Sequence, residues 1–544
     1  MKQTLILGNI ITMDEKRPTA KAALVKDGVF AYIGTAEEAR ELAGKDAAVL
    51  DYGENFVYPG FLESHAHPYL AGDRAVGMAN LDNAATTDYE KCRRIINEFI
   101  EKNPHITVYR ASGWAETPGN FFTKAFLDEI CPDKPLIMHS AGGHYMSLNS
   151  KALEFFDIDK ECAAKYGPEL VHVDANGEPD GYISELPVQD VVKKLPRSME
   201  EAKEYLLAWQ DIALSHGFTG AADAAVELFF NDSSKAYHEL EEEGRLKVRT
   251  YAYLLSPDNV DDPTAEVARI AKDRAKYGGE YFQVVGVKTF LDGVVDLHTG
   301  WQLEDYADQP GWRGLERFNN HDKMVELIVA ADAEGLSVHA HSMGDGATHF
   351  MLDCIEDAEK ITGDKDQRNG LAHLEFVTDE DIRRMTDTGS IPNVPPLWAS
   401  KENAEDDSIE RWVGKELAKK AFPVKAFYDA GANVVFHSDY PVSPLFDIRL
   451  SIYMAATRAM PEEFGGIATE LCPDQAVDRE QALRAMTINV ARAWHQEHRI
   501  GSIEFGKLAN MTVFDCDFLH DDIEKVAKAK LIATLVDGGE VYKA

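Results

Sequence analysis

Two histidines one residue apart, His65-Ala66-His67, close a short apolar run. Side chains at i and i+2 of a strand point the same way, so both imidazoles can converge on one ion. An isolated HxH pair reads equally well as two ordinary strand-end histidines, and what shifts the balance is position. Lys288, His341, His373 and Asp439 lie at or near the ends of four further apolar runs. Packing six such groups together would cost roughly several kcal/mol without a compensating cation. Four imidazoles and one carboxylate suit zinc or a similar borderline divalent ion, one or two in number, at about 2.0–2.2 Å. Lys288 is the odd member, because a protonated ammonium cannot ligate a cation. Either it forms a salt bridge, or it has reacted with CO2 to give a carbamate whose oxygens can bridge two metals.

Eight apolar runs are available to position these groups: residues 56–65, 217–223, 246–254, 284–290, 335–341, 370–376, 390–394 and 433–439. Amphipathic stretches separate them, as expected of parallel strands buried on both faces. Ser198 with Glu201 has capping-box spacing, Thr378 with Asp381 resembles an N-cap, and Gly389 and Gly431 stand where C-caps would. Eight strand–helix alternations predict an α/β fold, a (β/α)8 TIM barrel over residues 57–495, whose catalytic rim is the C-terminal end of the strands. The surplus length predicts an inserted subdomain at about 75–197 and a polar, acidic loop at about 395–420. Residues 1–56 and 496–544 break into short alternating segments with Gly and Asp turns, and predict one small antiparallel β-sandwich domain built from both chain ends.

Composition bounds the rest. The 544 residues are 45% hydrophobic and carry a formal net charge of −37, which excludes disorder and makes nucleic acid and anionic membrane surfaces poor partners. Six scattered cysteines contain no CxxC pair, so the expected setting is a reducing cytoplasm. The N-terminus alternates like a strand and reads as mature protein. No Walker loop, GxGxxG or GxSxG is present, leaving nucleotide-dependent and serine-nucleophile chemistry without support. The expected partner is a small-molecule substrate; a homo-oligomer is left open.

The segments PGFLESHAHP, GVKTFLDG, HSMGD, LAHLEF and HSDYPV, in that order, resemble the strand signatures of the metal-dependent amidohydrolase superfamily. GGHYMSLNSKAL, ANGEPDGYISE, VDREQALRAMTINVARA and GSIEFGKLAN are similar to further signatures of its amidohydrolase-3 group, which includes N-substituted formamide deformylases. The likeness runs from residue 5 to about 517. It implies that His65 and His67 hold the more buried metal, that His341 and His373 hold the second, and that a carboxylated Lys288 bridges them. Asp439 would both ligate and act as the acid–base group, which agrees with the lowering of a metal-held water's pKa towards about 7. The expected activity is hydrolysis of a C–N bond, an amide or N-acyl/N-formyl group. Isomerisation, decarboxylation or ester hydrolysis at the same site, and a non-catalytic metal-binding protein, are the alternatives.

This chain departs from the group where the substrate pocket is expected. Pro395-Pro396-Leu397-Trp398 replaces Gln-Pro followed by His, and Gly293 to His298 replaces a small-residue and arginine stretch. His144 matches the group's substrate-contacting histidine, with turn chemistry as its bland reading. Glu185 faces the site or forms a surface pair. His298 and Trp398 are the other substrate-binding candidates. His339 shares a strand face with His341 and either orients a ligand or is a buried structural histidine. Asp292 and Asp345 are expected to cap helices or hold loops.

Overall fold

The computed structural model describes residues 3–81, 88–114, 122–140, 145–168, 170–184, 186–363, 366–401, 406–466 and 469–544. They form two compact units, Met1–Pro68 with Gln210–Ala544, and Tyr69–Trp209. In the first unit each apolar run overlaps one strand of an eight-stranded sheet. The strands are β1 (Phe61–Ala66), β2 (Phe218–Val226), β3 (Arg249–Leu255), β4 (Phe282–Phe290), β5 (Ser337–Ser342), β6 (Gly370–His373), β7 (Ile391–Val394) and β8 (Val435–Phe436). Neighbours in sequence are neighbours in the sheet, and every pairing is parallel. The order is that of a TIM barrel.

Closure from β8 back to β1 is made just beyond the strands. The Asp439 amide donates to the His65 carbonyl at 3.0 Å, and the His67 amide donates to the Tyr440 carbonyl at 2.9 Å. Ser64 Oγ adds a bond to the Phe436 carbonyl at 2.6 Å. Helix punctuation follows the sequence. Thr378 Oγ1 accepts from the Asp381 amide at 3.1 Å at the head of helix Asp379–Asp387, and Gly431 takes a left-handed φ of 89° behind helix Val424–Ala430.

Both chain ends enter one seven-stranded sheet, in the order Gly539–Lys543, Leu531–Val536, Met511–Phe514, Ala48–Pro59, Gln3–Ile11, Thr19–Lys26, Val29–Gly34. The expectation of antiparallel pairing holds except between Gln3–Ile11 and Ala48–Pro59, which run parallel. Alternation sends Ile6 and Ile10 into a core with Val25, Phe30, Met511, Val513 and Leu535, while Leu5 and Leu7 pack on the opposite face with Ala39. The Thr512 and Thr534 hydroxyls donate to the Gly217 and Leu214 carbonyls at 2.7 and 2.8 Å, fastening this sheet to the chain entering β2.

The second unit has a six-stranded mixed sheet, ordered Val171–Val173, Pro179–Ser184, Tyr145–Leu148, Leu136–Ser140, Tyr109–Trp114, Ala79–Asn80. Its first two strands meet through the DANGEPDG turn, where the Asp174 carboxylate accepts from the amides of Asn176 and Glu178 at 2.7 and 3.0 Å. It begins earlier and ends later than the 75–197 expected. Helix Pro68–Val76 and helix Met199–Ser215 cross so closely that a Cβ on Gly72 would lie 1.8 Å from the Tyr205 carbonyl oxygen. Asp73 also forms a forked ion pair with Arg110 of strand Tyr109–Trp114, Oδ2 to Nη1 at 2.7 Å. The expected capping box of the second helix is present, with Ser198 Oγ accepting from the Glu201 amide at 3.2 Å and Glu201 Oε2 from the Ser198 amide at 2.9 Å. None of the six cysteines is in a disulfide, and among the described residues no helix is long and apolar enough to cross a membrane.

Candidate active site

The rim is built where strands end. Period-two alternation on β1 turns Glu63, His65 and the following His67 to one side, and all three are buried. Asp439 takes a left-handed φ of 58° after β8, and His373 ends β6 with φ 86°. Non-glycine residues held in that region carry about 1–3 kcal/mol of strain and cluster at functional sites.

His65 Nε2 and His67 Nε2 lie 3.4 and 3.1 Å from Asp439 Oδ1. One ligand atom from each of these three residues falls within 4.8 Å of the others, the only such group of three or more among the described residues. His373 joins the ring cluster, 4.9 Å from His65 and 4.5 Å from His341. Lys288 is fully buried, its Nζ has no hydrogen-bond partner, and desolvation lowers its amine to about 7. Burial, and then the Lys288 charge, holds His65 well below the usual imidazole range; burial with neighbouring imidazoles does the same for His373. A neutral amine and neutral imidazoles are the forms that react with CO2 or donate lone pairs to a metal.

A divalent cation fits these residues. His67 Nδ1, Lys288 Nζ, His373 Nδ1 and Asp439 Oδ1 are all sealed from solvent without a hydrogen bond, a set that is costly to leave unmatched. The donors are imidazole and carboxylate, which suit zinc and its neighbours.

Several groups outside the predicted set hold the site in place. His339 Nε2 meets His65 Nδ1 at 2.7 Å, and its ring stacks on Tyr253 at 4.5 Å. Gly370 makes room for it, since a Cβ there would lie 2.7 Å from His339 Nδ1. Asp292 holds its loop through the amides of Trp301, Met343 and Gly344, and its Oδ1 also reaches His341 Nδ1 at 2.9 Å. Glu63 Oε1 accepts from the amides of His65 and Ser438 at 2.9 and 3.1 Å, while burial pushes its acid up to about 8. Asp223, opposite Ala66 in the β1–β2 register, accepts from the Tyr237 hydroxyl at 3.1 Å and is raised by burial to about 6. His437 is buried against His65 and His373, rings 5.0 and 4.9 Å away. The i, i+2 spacing of Glu63 with His65, and of His437 with Asp439, was the available signal.

Of the substrate-binding candidates, Trp398 stacks parallel to His373 at 5.3 Å. His298 takes another place: its Nε2 meets Asp308 Oδ1 at 2.8 Å, and its ring neighbours are Tyr306 and Trp412 rather than the histidine cluster. His144 and Glu185 lie outside the described residues.

A model of the amidohydrolase family matches residues 48–542. Protein LONG AFTER FAR-RED 3 of Arabidopsis thaliana is 25% identical, covering 98% of this chain and 90% of its own. N-substituted formamide deformylase of Arthrobacter pascens is 27% identical, covering 98% and 97%. In fold, the chain is similar to the crystal structure of an uncharacterized metal-dependent hydrolase from Pyrococcus furiosus, with a TM-score of 0.77, 24% identity and coverage of 95% and 100%. The chain therefore belongs to the amidohydrolase family.

Proposed function

We propose that the protein hydrolyses a C–N bond, an amide or N-acyl/N-formyl group, in a small organic molecule with some apolar surface. The observation that carries this reading is the buried convergence of His65, His67 and Asp439, whose ligand atoms lie within 4.8 Å of one another. The deformylase similarity over nearly the whole chain supports the bond type.

His65, His67 and Asp439 would hold one divalent ion, zinc by donor chemistry, and His341 and His373 a second. Lys288 would stand between them as the carbamate, formed when its neutral amine adds to CO2 and releases one proton. When bound, the metal supplies Lewis acidity for the attacking oxygen and the acyl carbonyl. Asp439 takes the proton of water as its oxygen adds to the carbonyl carbon, and passes that proton to the nitrogen as the C–N bond breaks. His339 and Asp292 keep the His65 and His341 rings turned by holding their Nδ1 atoms. Trp398 offers the acyl or amine portion an apolar wall beside His373.

The test is product analysis in oxygen-18 water, with N-formyl, N-acetyl and larger N-acyl amines given to the metal-loaded protein. Free amine and an acyl product carrying one solvent oxygen are expected. Turnover that yields an unlabelled isomer or a decarboxylated product would overturn the reading.

A further inference from the structure

An imidazole that ligates through one nitrogen is aimed by what its other nitrogen touches. Two of the four imidazoles proposed above have such a partner, His65 in His339 at 2.7 Å and His341 in Asp292 at 2.9 Å. His373 has none: its Nδ1 is sealed from solvent without a hydrogen bond, while the ring is stacked parallel to Trp398.

Beside it lies His437. This side chain is 2% exposed, and both of its ring nitrogens are buried without a hydrogen-bond partner. A neutral imidazole has one donor and one acceptor to satisfy, so two empty positions in a sealed interior call for an explanation. The His437 amide donates to the Val394 carbonyl at 3.1 Å, continuing the β7–β8 alignment, and the side chain falls two residues before Asp439 on the same face. Its aromatic neighbours are His65, His373 and Trp398, at 5.0, 4.9 and 6.0 Å. Among the two histidines, His65 already has its Nδ1 engaged by His339. That leaves His373, whose ring meets His437 at 75°, edge towards face.

We propose that His437 is the positioning partner of His373: its ring nitrogen accepts the Nδ1–H of His373 and so aims Nε2 of His373 at the cation. With the ring centroids 4.9 Å apart, the bond requires one of the rings to turn. The inference rests on the reading of His373 as a ligand.

The experiment uses the full chain stripped of metal and titrated with cobalt(II), read by visible absorption and by chelator competition, without substrate. His437→Phe keeps a ring and removes both nitrogens, and His437→Leu serves where phenylalanine is not accommodated. Cobalt should then bind about 10–100-fold more weakly with altered absorption bands, and the metal-free melting temperature should not fall below that of the parent. His437→Gln, which retains an acceptor, should recover part of the affinity. Unchanged cobalt affinity and spectrum in the nitrogen-free variants would overturn the proposal, leaving His437 as filling. So would a loss of cobalt as complete as in His373→Ala, which would make His437 itself a ligand. If His373→Ala binds cobalt like the parent, the ligand reading of His373 fails first, and this inference with it.

Discussion

The same barrel strands build two layers of opposite character. Leu62, Tyr251, Tyr253, Ile391 and Val435 form an apolar layer with Ile488, Val490 and Trp494, the Tyr251 and Trp494 rings stacked at 4.3 Å. Towards the strand ends, the interior turns to Glu63, His65, Lys288, His339, His373, His437 and Asp439, all buried. Tyr253 marks the boundary, stacked on His339 at 4.5 Å. In the first layer burial stabilises the fold by about 25 cal/mol per Å² of apolar surface removed from water. In the second the same burial is a cost, borne for what binds there. The layers should therefore respond in opposite ways to substitution.

The largest effect is expected at the rim. Asp439→Asn should lower turnover by about 10²–10⁴-fold with metal still bound, measured as kcat alongside metal content. Near-parental turnover would remove Asp439 from its acid–base role. In the apolar layer, Trp494→Ala should cost about 3–5 kcal/mol in urea unfolding, with activity per folded molecule retained. A milder and opposite result is expected for Lys288→Met in the metal-free, CO2-free protein, which should gain about 1–3 kcal/mol by removing an unpartnered buried amine.

That gain has a pH signature. Burial lowers the Lys288 amine from 10.5 to about 7. Its contribution to parental stability is therefore full above the ordinary value and lost as pH falls through about 7, so the variant's advantage should widen on acidification. By the same shift, bicarbonate-assisted metal uptake by the parent should be about tenfold greater at about pH 8 than at about pH 6, and absent in Lys288→Met. A loss of stability in the methionine variant, or a bicarbonate effect that survives it, would break the contrast. The smallest effect lies away from both layers: Ser198→Ala should lose about 1 kcal/mol with the capping box and leave metal binding and turnover unchanged.

Much of the barrel was legible because parallel strands write themselves as apolar runs, and each of the eight runs overlaps one strand. The six rim residues could be named because polar side chains at the ends of such runs stand out. Their supports were less visible. Glu63 acts on the backbone of Ser438, and His339 on His65, across separations that no local pattern records. Asp292 was legible as a loop holder, but its bond to His341 depends on the β4–β5 register. Alternation located the terminal strands but carries no sense of direction, which is why the parallel pairing of Gln3–Ile11 with Ala48–Pro59 emerges only in three dimensions. For the inserted segment, the turn at Asp174 could be read from its residues, whereas the outer limits depend on a helix crossing at Gly72.

Two backbone bonds across the seam from β8 to β1 involve the proposed ligands, Asp439 to the His65 carbonyl and His67 to the Tyr440 carbonyl. Under the proposed ligand set, the same residues therefore serve both the metal site and the barrel seam. The amide protons of His67 and Asp439 become built-in reporters: their exchange with deuterium follows the integrity of this seam in a protein to which no substrate has been added.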